Sequence, residues 1–365
     1  MNIKTGIVMM NLGGPKETTD VGPFLRELFL DREIIQLPLQ NVLGPFIAKR
    51  RTKHVQELYE GIGGGSPILR WTSEQGAGMV ERLDRLYPDS APHGFYVAFR
   101  YIEPSSETAL RAMKADGVER AVAFTQYPQF SCATTGSSLN ELWRALGRTG
   151  LAREFEWSVI DRWPVHDGFI DSMARTVRQG LETFAQDERD DTLLLFSAHS
   201  LPLSVIRRGD AYPAEIGASV HEVMRRLDHG YEYMISYQSE VGPVPWQGPS
   251  TEQVIRDLGR QGRRNVLVIG IAFTSDHIET LSELDIEYAE LAKEVGISRF
   301  ERAPALNANG DFVGALADIV GSHLESGEVS SRQYPLRCPG CRNAQCRNVP
   351  NPVGEFLRRP LVSAG

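Results

Sequence analysis

The sequence predicts an α/β protein made of two doubly wound, Rossmann-like domains with parallel sheets. Short apolar runs alternate along the chain with longer amphipathic stretches that have helical periodicity. This alternation is typical of parallel sheets that are covered by helices on both faces. The length of 365 residues suggests two domains, and the 41% hydrophobic content suits an ordinary globular core.

Seven apolar runs are the candidate strands, because each is too short to form a typical helix. They are Thr5–Asn11, Phe95–Phe99, Arg120–Gln126, Glu156–Asp161, Thr192–Ser197, Tyr231–Tyr237 and Asn265–Phe273. Between them lie stretches with the helical period of about 3.6 residues. These candidate helices include Ser73–Leu86, Ser106–Asp116, Gly136–Leu146, Gly168–Gln186, Tyr212–Leu227 and Ser250–Gln261.

The predicted elements divide the chain into three parts. We expect an N-terminal Rossmann-like domain over residues 1–161 and a C-terminal Rossmann-like domain over residues 162–330. Residues 331–365 form a C-terminal extension that carries three of the four cysteines.

Charge and hydropathy exclude several classes of protein. The net charge of −8 argues against a nucleic-acid-binding protein. No run of 18 apolar residues occurs, so we expect no membrane-spanning helix. The first ten residues lack the features of a secretory signal or an Arg-rich transit segment. We therefore expect a cytoplasmic bacterial protein or an organellar protein without its leader.

A glycine cluster, Gly61–Ser66, could suggest a phosphate-binding loop. However, the spacing of a Walker motif and its Gly-Lys-Ser/Thr ending are absent. A tight turn that brings the backbone close to a flat ligand is the better interpretation.

Two histidines stand where apolar runs end. His199 ends the run that begins at Thr192, and His277 follows the run Asn265–Phe273 with Glu279 two residues later. Open α/β sheets hold their ligands at the carboxyl ends of their strands, so both histidines are candidates for proton transfer or metal binding. Alternatively, His199 could be a core histidine, and Asp276 and Glu279 could form a capping box.

The start of the following helix bears on this chemistry. If Asp276 is the N-cap, His277 is the first helical residue, where the helix dipole disfavours the imidazolium form. Glu279 and Glu283 are four residues apart and share one helix face. Acidic residues beside a neutral imidazole could accept protons or conduct an ion.

The segments Phe196–Pro202 and Thr274–Tyr288 closely resemble the two signature segments of ferrochelatases, the enzymes that complete haem synthesis. The resemblance extends from about Gly6 to Cys346. It implies the chelatase fold, with protoporphyrin IX and Fe²⁺ as substrates and protohaem and two protons as products. Metallation requires the flat macrocycle to bend and a base to lie over its exposed nitrogens.

The resemblance also implies which residues are catalytic. It places His199 over the porphyrin nitrogens as proton acceptor, and we expect Glu279 to be its polar partner. His277 and Glu283 lie nearby as further proton acceptors or ion conduits. His166 and Asp318 match two more functional positions of the family, although each could be an ordinary polar residue.

A porphyrin pocket should be apolar with a few polar anchors. By resemblance, the apolar segment Val21–Leu39, which includes Phe29, forms a pocket lip that contacts the membrane. The basic run Lys49–Lys53 could bind anionic lipid or the propionates, although a solvated surface is the default interpretation. By resemblance, the remaining residues that bind or line the porphyrin site are Arg51, Tyr59, Ser66, Arg100, Tyr101, Tyr212 and Trp246.

Leu12 matches the position that faces the ring opposite the histidine. Animal-type ferrochelatases often have Met there, whereas the branch that uses coproporphyrin tends to have Tyr. Leu12 therefore favours protoporphyrin IX as the substrate.

The four cysteines fit a metal site. Cys338, Cys341 and Cys346 form a C-x₂-C-x₄-C cluster, and Cys132 lies far upstream. The spacing alone leaves tetrahedral zinc and an iron–sulfur cluster equally plausible, with a redox pair as a minor option. All four positions match those of ferrochelatases that hold a [2Fe–2S] cluster, which implies this cofactor and a structural role that pins the C-terminal tail.

Other functions stay open at this point. Coproporphyrin III ferrochelatase, a cobalt or nickel chelatase, and a haem or iron–sulfur sensor on the same fold are the alternatives. The resemblance implies a homodimer with peripheral membrane contact. We expect the inner membrane of a bacterium or, for an organellar protein, the matrix side of the mitochondrial inner membrane.

Overall fold

The computed structural model describes residues 3–35, 37–242, 244–334, 336 and 338–341, and it confirms the α/β fold. Eight strands form: β1 (Thr5–Asn11), β2 (His93–Phe99), β3 (Arg120–Thr125), β4 (Glu156–Ile160), β5 (Leu193–His199), β6 (Tyr233–Gln238), β7 (Asn265–Gly270) and β8 (Arg299–Arg302). The α-helices are α1 (Val21–Leu30), α2 (Gln40–Gly61), α3 (Ile68–Leu86), α4 (Ser106–Ala115), α5 (Ser137–Thr149), α6 (Asp167–Leu181), α7 (Gln186–Arg189), α8 (Leu203–Ile206), α9 (Tyr212–Arg226), α10 (Thr251–Arg260), α11 (Tyr288–Glu294) and α12 (Gly310–Ser326). Two segments, Cys132–Gly136 and Glu279–Glu287, are π-helical.

The strands form two parallel four-stranded sheets with the same topology. Their orders are β2-β1-β3-β4 and β6-β5-β7-β8. In each sheet the second strand along the chain lies on one side of the first strand, and the third lies on its other side. The crevices at this change of side lie between β1 and β3 and between β5 and β7. His199 is the last residue of β5 and stands at the second of these crevices.

All seven predicted strands form, with ends that differ by at most three residues. The largest difference is in β7, which ends at Gly270 rather than Phe273. Strand β8 was not predicted, because its sequence Arg-Phe-Glu-Arg is short and mostly charged. Its pairing with β7 at the edge of the sheet, rather than a local apolar pattern, makes it a strand.

One hydrophobic core joins the two sheets. Ile7 and Phe124 from the first sheet and Phe196 and Ile269 from the second belong to the same buried cluster, together with residues of α3, α6, α9 and α12. The opposite faces of the sheets pack on α4 and α5 and on α10 and α11. Helices therefore cover both faces of each sheet, as a doubly wound fold requires.

Hydrogen bonds reinforce this packing between the two halves of the chain. The Gln75 amide on α3 donates to the carbonyls of Thr274 and Asn307 at 3.2 and 2.9 Å. After α12 the chain returns to the first sheet, where the Val159 N–H bonds to the Val329 carbonyl at 2.7 Å. The boundaries of the three predicted parts, 1–161, 162–330 and 331–365, stay a prediction.

The connection between α1 and α2 is tied to the first sheet by buried charges. Arg100 follows β2, and its guanidinium, only 5% exposed, pairs with Asp31, Glu33 and Glu141. The Tyr101 hydroxyl donates to Asp31 Oδ2 at 2.6 Å. One buried cation thus joins the end of α1 to α5.

The far side of the same connection is apolar and exposed. Leu39, Val42 and Phe46 at the start of α2 are 76%, 67% and 63% exposed. Within the described part of the chain, no helix is both long and apolar enough to cross a membrane. We call residues 31–46 the lip.

Removing a core side chain shared by the two sheets should destabilise the whole fold. Leu316 on α12 is fully buried, so we expect Leu316→Ala to lower the free energy of unfolding by about 2–5 kcal/mol. Leu86→Ala, at a position that is 52% exposed, should change it by less than about 0.5 kcal/mol. Urea denaturation measures both variants, and equal changes would contradict the shared core.

Removing the buried cation at the base of the lip should also be costly. Arg100→Met leaves the carboxylates of Asp31, Glu33 and Glu141 without their shared partner, and breaking such a buried pair costs about 3–5 kcal/mol. The exposed Arg26–Glu27 pair offers a control, because Arg26→Met should cost at most about 1 kcal/mol. A similar loss of stability in the two variants would refute the role of Arg100.

Candidate active site

His199 presents one ring nitrogen as a hydrogen-bond acceptor. Its Nδ1 lies 2.6 Å from the carbonyl oxygen of Ser200. A carbonyl oxygen can only accept a hydrogen bond, so Nδ1 carries a proton and the neutral ring keeps its lone pair on Nε2. The half-buried His199 side chain is therefore oriented as a proton acceptor.

His277 is oriented in the same way and has an acidic neighbour. Its Nδ1 lies 2.8 Å from the Ser275 carbonyl, and its Nε2 lies 3.3 Å from Glu279 Oε2. Both Nε2 of a neutral ring and a carboxylate oxygen are acceptors, so a proton between them satisfies both. The pair is therefore built to receive a proton.

The helix after His277 begins one residue later than the sequence indicated. Ile278 is its first helical residue, so His277 precedes the helix rather than opening it. The possible capping box of Asp276 and Glu279 does not form, because the Asp276 N–H donates to Asn307 Oδ1 and Glu279 pairs with His277. Instead, the His277 N–H donates to Thr280 Oγ1 at 3.0 Å.

Glu283 is held by four donors. Gln238 Nε2, the Ser239 N–H and the Tyr288 hydroxyl donate to its carboxylate at 2.8, 2.8 and 2.9 Å, and the Ser239 hydroxyl adds a fourth bond. Gln238 is the register partner of His199 in the second sheet. Glu283 thus anchors the π-helical segment to the strand beside His199.

An apolar cluster from the first half of the chain packs against the segment that carries His277 and Glu279. Val21, Phe24, Leu25, Phe29, Ala48 and Tyr59 form a buried cluster, and Leu12, Tyr101 and Ile278 pack against it. Ile278 lies between His277 and Glu279 in sequence, so this cluster connects α1 and α2, the helices that flank the lip, to the segment of the acidic pair. We call these residues the lip cluster.

Two tyrosines show that Glu279 faces the N-terminal half. Burial raises the pKa of Tyr59, and the charge of Glu279 raises it further. Burial likewise raises the pKa of Tyr127, with a smaller contribution from Glu279. The Tyr127 hydroxyl accepts from the Leu12 N–H at 2.7 Å, so Leu12 lies beside the second of these tyrosines.

Trp246 and Tyr212 contact the segment around His199. The chain before α10 runs antiparallel to the segment after His199, with Pro202 bridging Trp246, and the Trp246 indole donates to the Val241 carbonyl at 3.0 Å. Tyr212 is buried, and its hydroxyl bonds to the backbone of His199. Both predicted residues therefore lie beside the histidine.

Ser66 lines a cavity of about 440 Å³ together with Asp276 and Leu281. Its backbone N–H donates to the Pro15 carbonyl at 2.7 Å. In the glycine cluster, Gly63 and Gly64 have φ of 108° and 93°, a conformation that other residues rarely adopt. The cluster is a tight turn at a cavity, in agreement with the sequence interpretation.

In the described part of the chain, the remaining predicted residues make no hydrogen bond or ion pair with His199 or His277. Arg100 and Tyr101 are occupied by the lip carboxylates, and Arg51 lies on α2. Burial lowers the pKa of His166, and the nearby charge of Asp318 partly offsets this. Within the described ranges, no hydrogen bond or ion pair joins His166 or Asp318 to His199, or Glu279 to His199.

Some residues of the site were missed by the sequence analysis. Gln238 and Tyr127 directly follow predicted strands, so the rule that parallel sheets bind ligands at their carboxyl ends could have found them. Asn307 carries no such signal, because it lies in a loop without a motif.

Three of the four cysteines lie in the described residues, and two of them, Cys132 and Cys338, interact electrostatically. Burial and the Asp210 carboxylate raise the pKa of the Cys132 thiol, and the charge of Cys338 contributes. The Cys341 N–H donates to the Cys338 carbonyl at 2.9 Å in a tight turn. In the described part of the chain, no three His, Cys, Asp or Glu side chains form a complete metal-binding group. Cys346 lies outside the described residues.

Comparison with known proteins identifies the family. The sequence profile of the family described as Ferrochelatase matches residues 4–324. The chain is 54% identical to "Ferrochelatase, mitochondrial" of Homo sapiens over 347 residues, which cover 95% of this chain and 82% of the human protein. It is 53% identical to the Gallus gallus protein of the same name, with 95% and 86% covered.

A more distant relative and a solved structure agree with this result. "Ferrochelatase, mitochondrial" of Schizosaccharomyces pombe is 50% identical over 353 residues, which cover 96% of this chain and 83% of that protein. The structure of "SirB from Bacillus subtilis with Fe3+" shares the fold, with a TM-score of 0.52 and 11% identity over 89% of this chain and 98% of SirB. The chain therefore belongs to the ferrochelatase family.

Proposed function

We propose that this ferrochelatase inserts Fe²⁺ into protoporphyrin IX by transferring the two pyrrole protons to separate acceptors, His199 and the His277–Glu279 pair. The observation that carries this proposal is the pair of Nδ1–carbonyl hydrogen bonds, which leave Nε2 of both histidines as acceptors. Metallation releases two protons for each ion bound, and the site offers two places for them.

The lip cluster and Leu12 supply the apolar surface that a macrocycle requires. The charge of Glu279 acts on Tyr59 of this cluster, and the Leu12 N–H bonds to Tyr127. In our proposal the porphyrin lies between these apolar side chains and the histidines, and binding to them bends the ring so that its nitrogens face the histidines. Leu12 leaves room for the apolar edge of protoporphyrin and offers no hydrogen bond to a further carboxylate.

Glu279 and Glu283 of the π-helical segment have different roles in this proposal. Glu283 is satisfied by four donors and fixes the segment to β6. Glu279 has its Oε2 directed to His277 and accepts a proton with that ring. His166 and Asp318, which share an electrostatic interaction, would act outside this centre.

Removing the His199 ring should stop proton transfer without preventing substrate binding. We expect His199→Ala to lower kcat by about 10²–10⁴-fold, the usual contribution of a positioned base, with protoporphyrin binding retained. Formation of protohaem from Fe²⁺ under anaerobic conditions measures kcat, and fluorescence quenching measures porphyrin binding. His221→Ala, at an exposed position on α9, serves as the control. A wild-type kcat in His199→Ala would remove His199 from the mechanism.

The alternative functions predict different substrates or none. A coproporphyrin III ferrochelatase would turn over coproporphyrin III at least as fast as protoporphyrin IX in the same assay. A sensor would bind porphyrin tightly without forming protohaem. The proton acceptors at His199 and His277 favour the enzyme, because a binding protein does not need them.

We also propose that Cys132, Cys338, Cys341 and Cys346 hold a [2Fe–2S] cluster. The proximity of the Cys132 and Cys338 thiols and the turn at Cys341 support this site. When bound, the cluster supplies iron–thiolate bonds that link the C-terminal segment to the N-terminal half. Gly340 already donates to the Arg208 carbonyl at 3.0 Å, so the segment docks through its backbone as well.

Loss of one thiolate should remove the cluster. We expect Cys341→Ser, purified anaerobically, to lose visible iron–sulfur absorption and to show a lower Tm, because ligation energy contributes to folding. Leu336→Ala, at an exposed position in the same segment, should retain both properties. Unchanged absorption in Cys341→Ser would contradict the four-cysteine site.

The exposed tip of the lip supports peripheral contact with a membrane. Leu39, Val42 and Phe46 point away from the core, and the basic run Lys49–Lys53 follows them on α2. Apolar side chains beside basic ones suit the surface of an anionic bilayer. The relatives are named mitochondrial, which supports an organellar location. We propose the matrix side of the inner membrane and a homodimer only on the family resemblance.

A further inference from the structure

We infer that Asn307 is a positioning residue for the His277–Glu279 pair and that it acts through Asp276. The inference depends on the role proposed for that pair. Asn307 lies in the loop before α12, 28 to 30 residues away in sequence from the groups it would position. Its side chain nevertheless contacts the loop that carries His277.

Both polar atoms of the Asn307 side-chain amide form hydrogen bonds with Asp276. Asn307 Oδ1 accepts from the Asp276 N–H at 2.8 Å, and Asn307 Nδ2 donates to Asp276 Oδ2 at 2.8 Å. Such a two-point contact defines both the backbone and the side-chain position of Asp276. Among the described residues, Asn307 is the only hydrogen-bonding partner of Asp276 Oδ2.

Asp276 passes this constraint to the residues beside it. Its Oδ1 accepts from the Thr280 hydroxyl at 3.1 Å and pairs with Arg302 at 3.1 Å. Thr280 Oγ1 in turn accepts from the His277 N–H at 3.0 Å. The backbone of His277 is thus fixed by a chain of contacts that begins at the Asn307 amide.

The backbone conformation of Asn307 indicates that its two hydrogen bonds with Asp276 constrain the backbone of its loop. Its φ is 45°, in the left-handed region, where Asn is better tolerated than most residues. Gln75 from α3 holds its carbonyl at 2.9 Å and the Thr274 carbonyl at 3.2 Å. The Asn307 loop and the start of the His277 loop therefore both accept a hydrogen bond from the side-chain amide of Gln75.

The geometry of the acidic pair is sensitive to this support. His277 Nε2 and Glu279 Oε2 are 3.3 Å apart, just beyond the usual range of an N–H···O hydrogen bond. Glu279 lies in the π-helical segment, whereas His277 precedes it, so the distance depends on how the loop enters the helix. A displaced Asp276 would change this entry, whereas Val21, Phe24 and Leu25 of the lip cluster lie on α1, far away in sequence.

The test uses Asn307→Gly, because glycine tolerates the left-handed backbone and the substitution removes the side chain with its amide. We expect kcat for protohaem formation to fall about tenfold, since small misplacements of catalytic groups have effects of this size, while KM for protoporphyrin stays within about twofold. Asp228→Gly is the matched control, because Asp228 also has a left-handed φ, 54°, at an exposed turn after α9. It should leave both constants unchanged.

Asn307→Asp separates the hydrogen-bond donor from the acceptor. It keeps an oxygen for the Asp276 N–H but replaces the Nδ2 donor with a second negative charge beside Asp276 Oδ2. We expect a larger fall in kcat than in Asn307→Gly. A kcat equal to that of the wild type in both variants would overturn the inference.

A double-mutant cycle with His277→Ala distinguishes positioning from general destabilisation. If Asn307 acts through His277, adding Asn307→Gly to His277→Ala should cause no further loss of kcat. Independent losses in the double variant would overturn the inference while the proposed function stands. A wild-type kcat in His277→Ala would instead remove the pair from the mechanism and the inference with it.

Discussion

The packing of two parallel sheets on one shared layer of helices determines the position of every group in the site. One face of each sheet is buried against α3, α6, α9 and α12. Protein interiors are close-packed, so this shared core leaves little freedom for the two carboxyl edges to shift relative to one another. The Gln75 amide adds direct hydrogen bonds from α3 to the loops of the second sheet.

On this scaffold, backbone carbonyls determine which ring nitrogen of His199 and His277 is left to accept a proton. The carbonyls of Ser200 and Ser275 occupy Nδ1 of His199 and His277, and each ring is left with Nε2 as its acceptor. A core histidine satisfied at both nitrogens would lack this property. Both rings can therefore accept a proton at Nε2, which their burial alone would not indicate.

Buried charge and exposed apolar surface divide the lip into two parts. Its base is held by the guanidinium of Arg100 among three carboxylates, and its tip exposes Leu39, Val42 and Phe46. A buried ion cluster contributes little net stability compared with apolar packing, but it defines a single geometry because each partner is costly to leave unpaired. The base can therefore stay in place while the tip contacts another surface.

Local apolar periodicity is sufficient to predict the α/β class, seven of the strands, His199 at the end of a strand and His277 in the loop that follows one. Which side chains meet depends on the tertiary structure. The pairing of Glu279 with His277, the strand β8 and the hydrogen bonds between Asn307 and Asp276 depend on contacts between distant segments. Such contacts leave no periodic trace in the chain, since they are selected by the packing of the sheets and helices rather than by neighbouring residues.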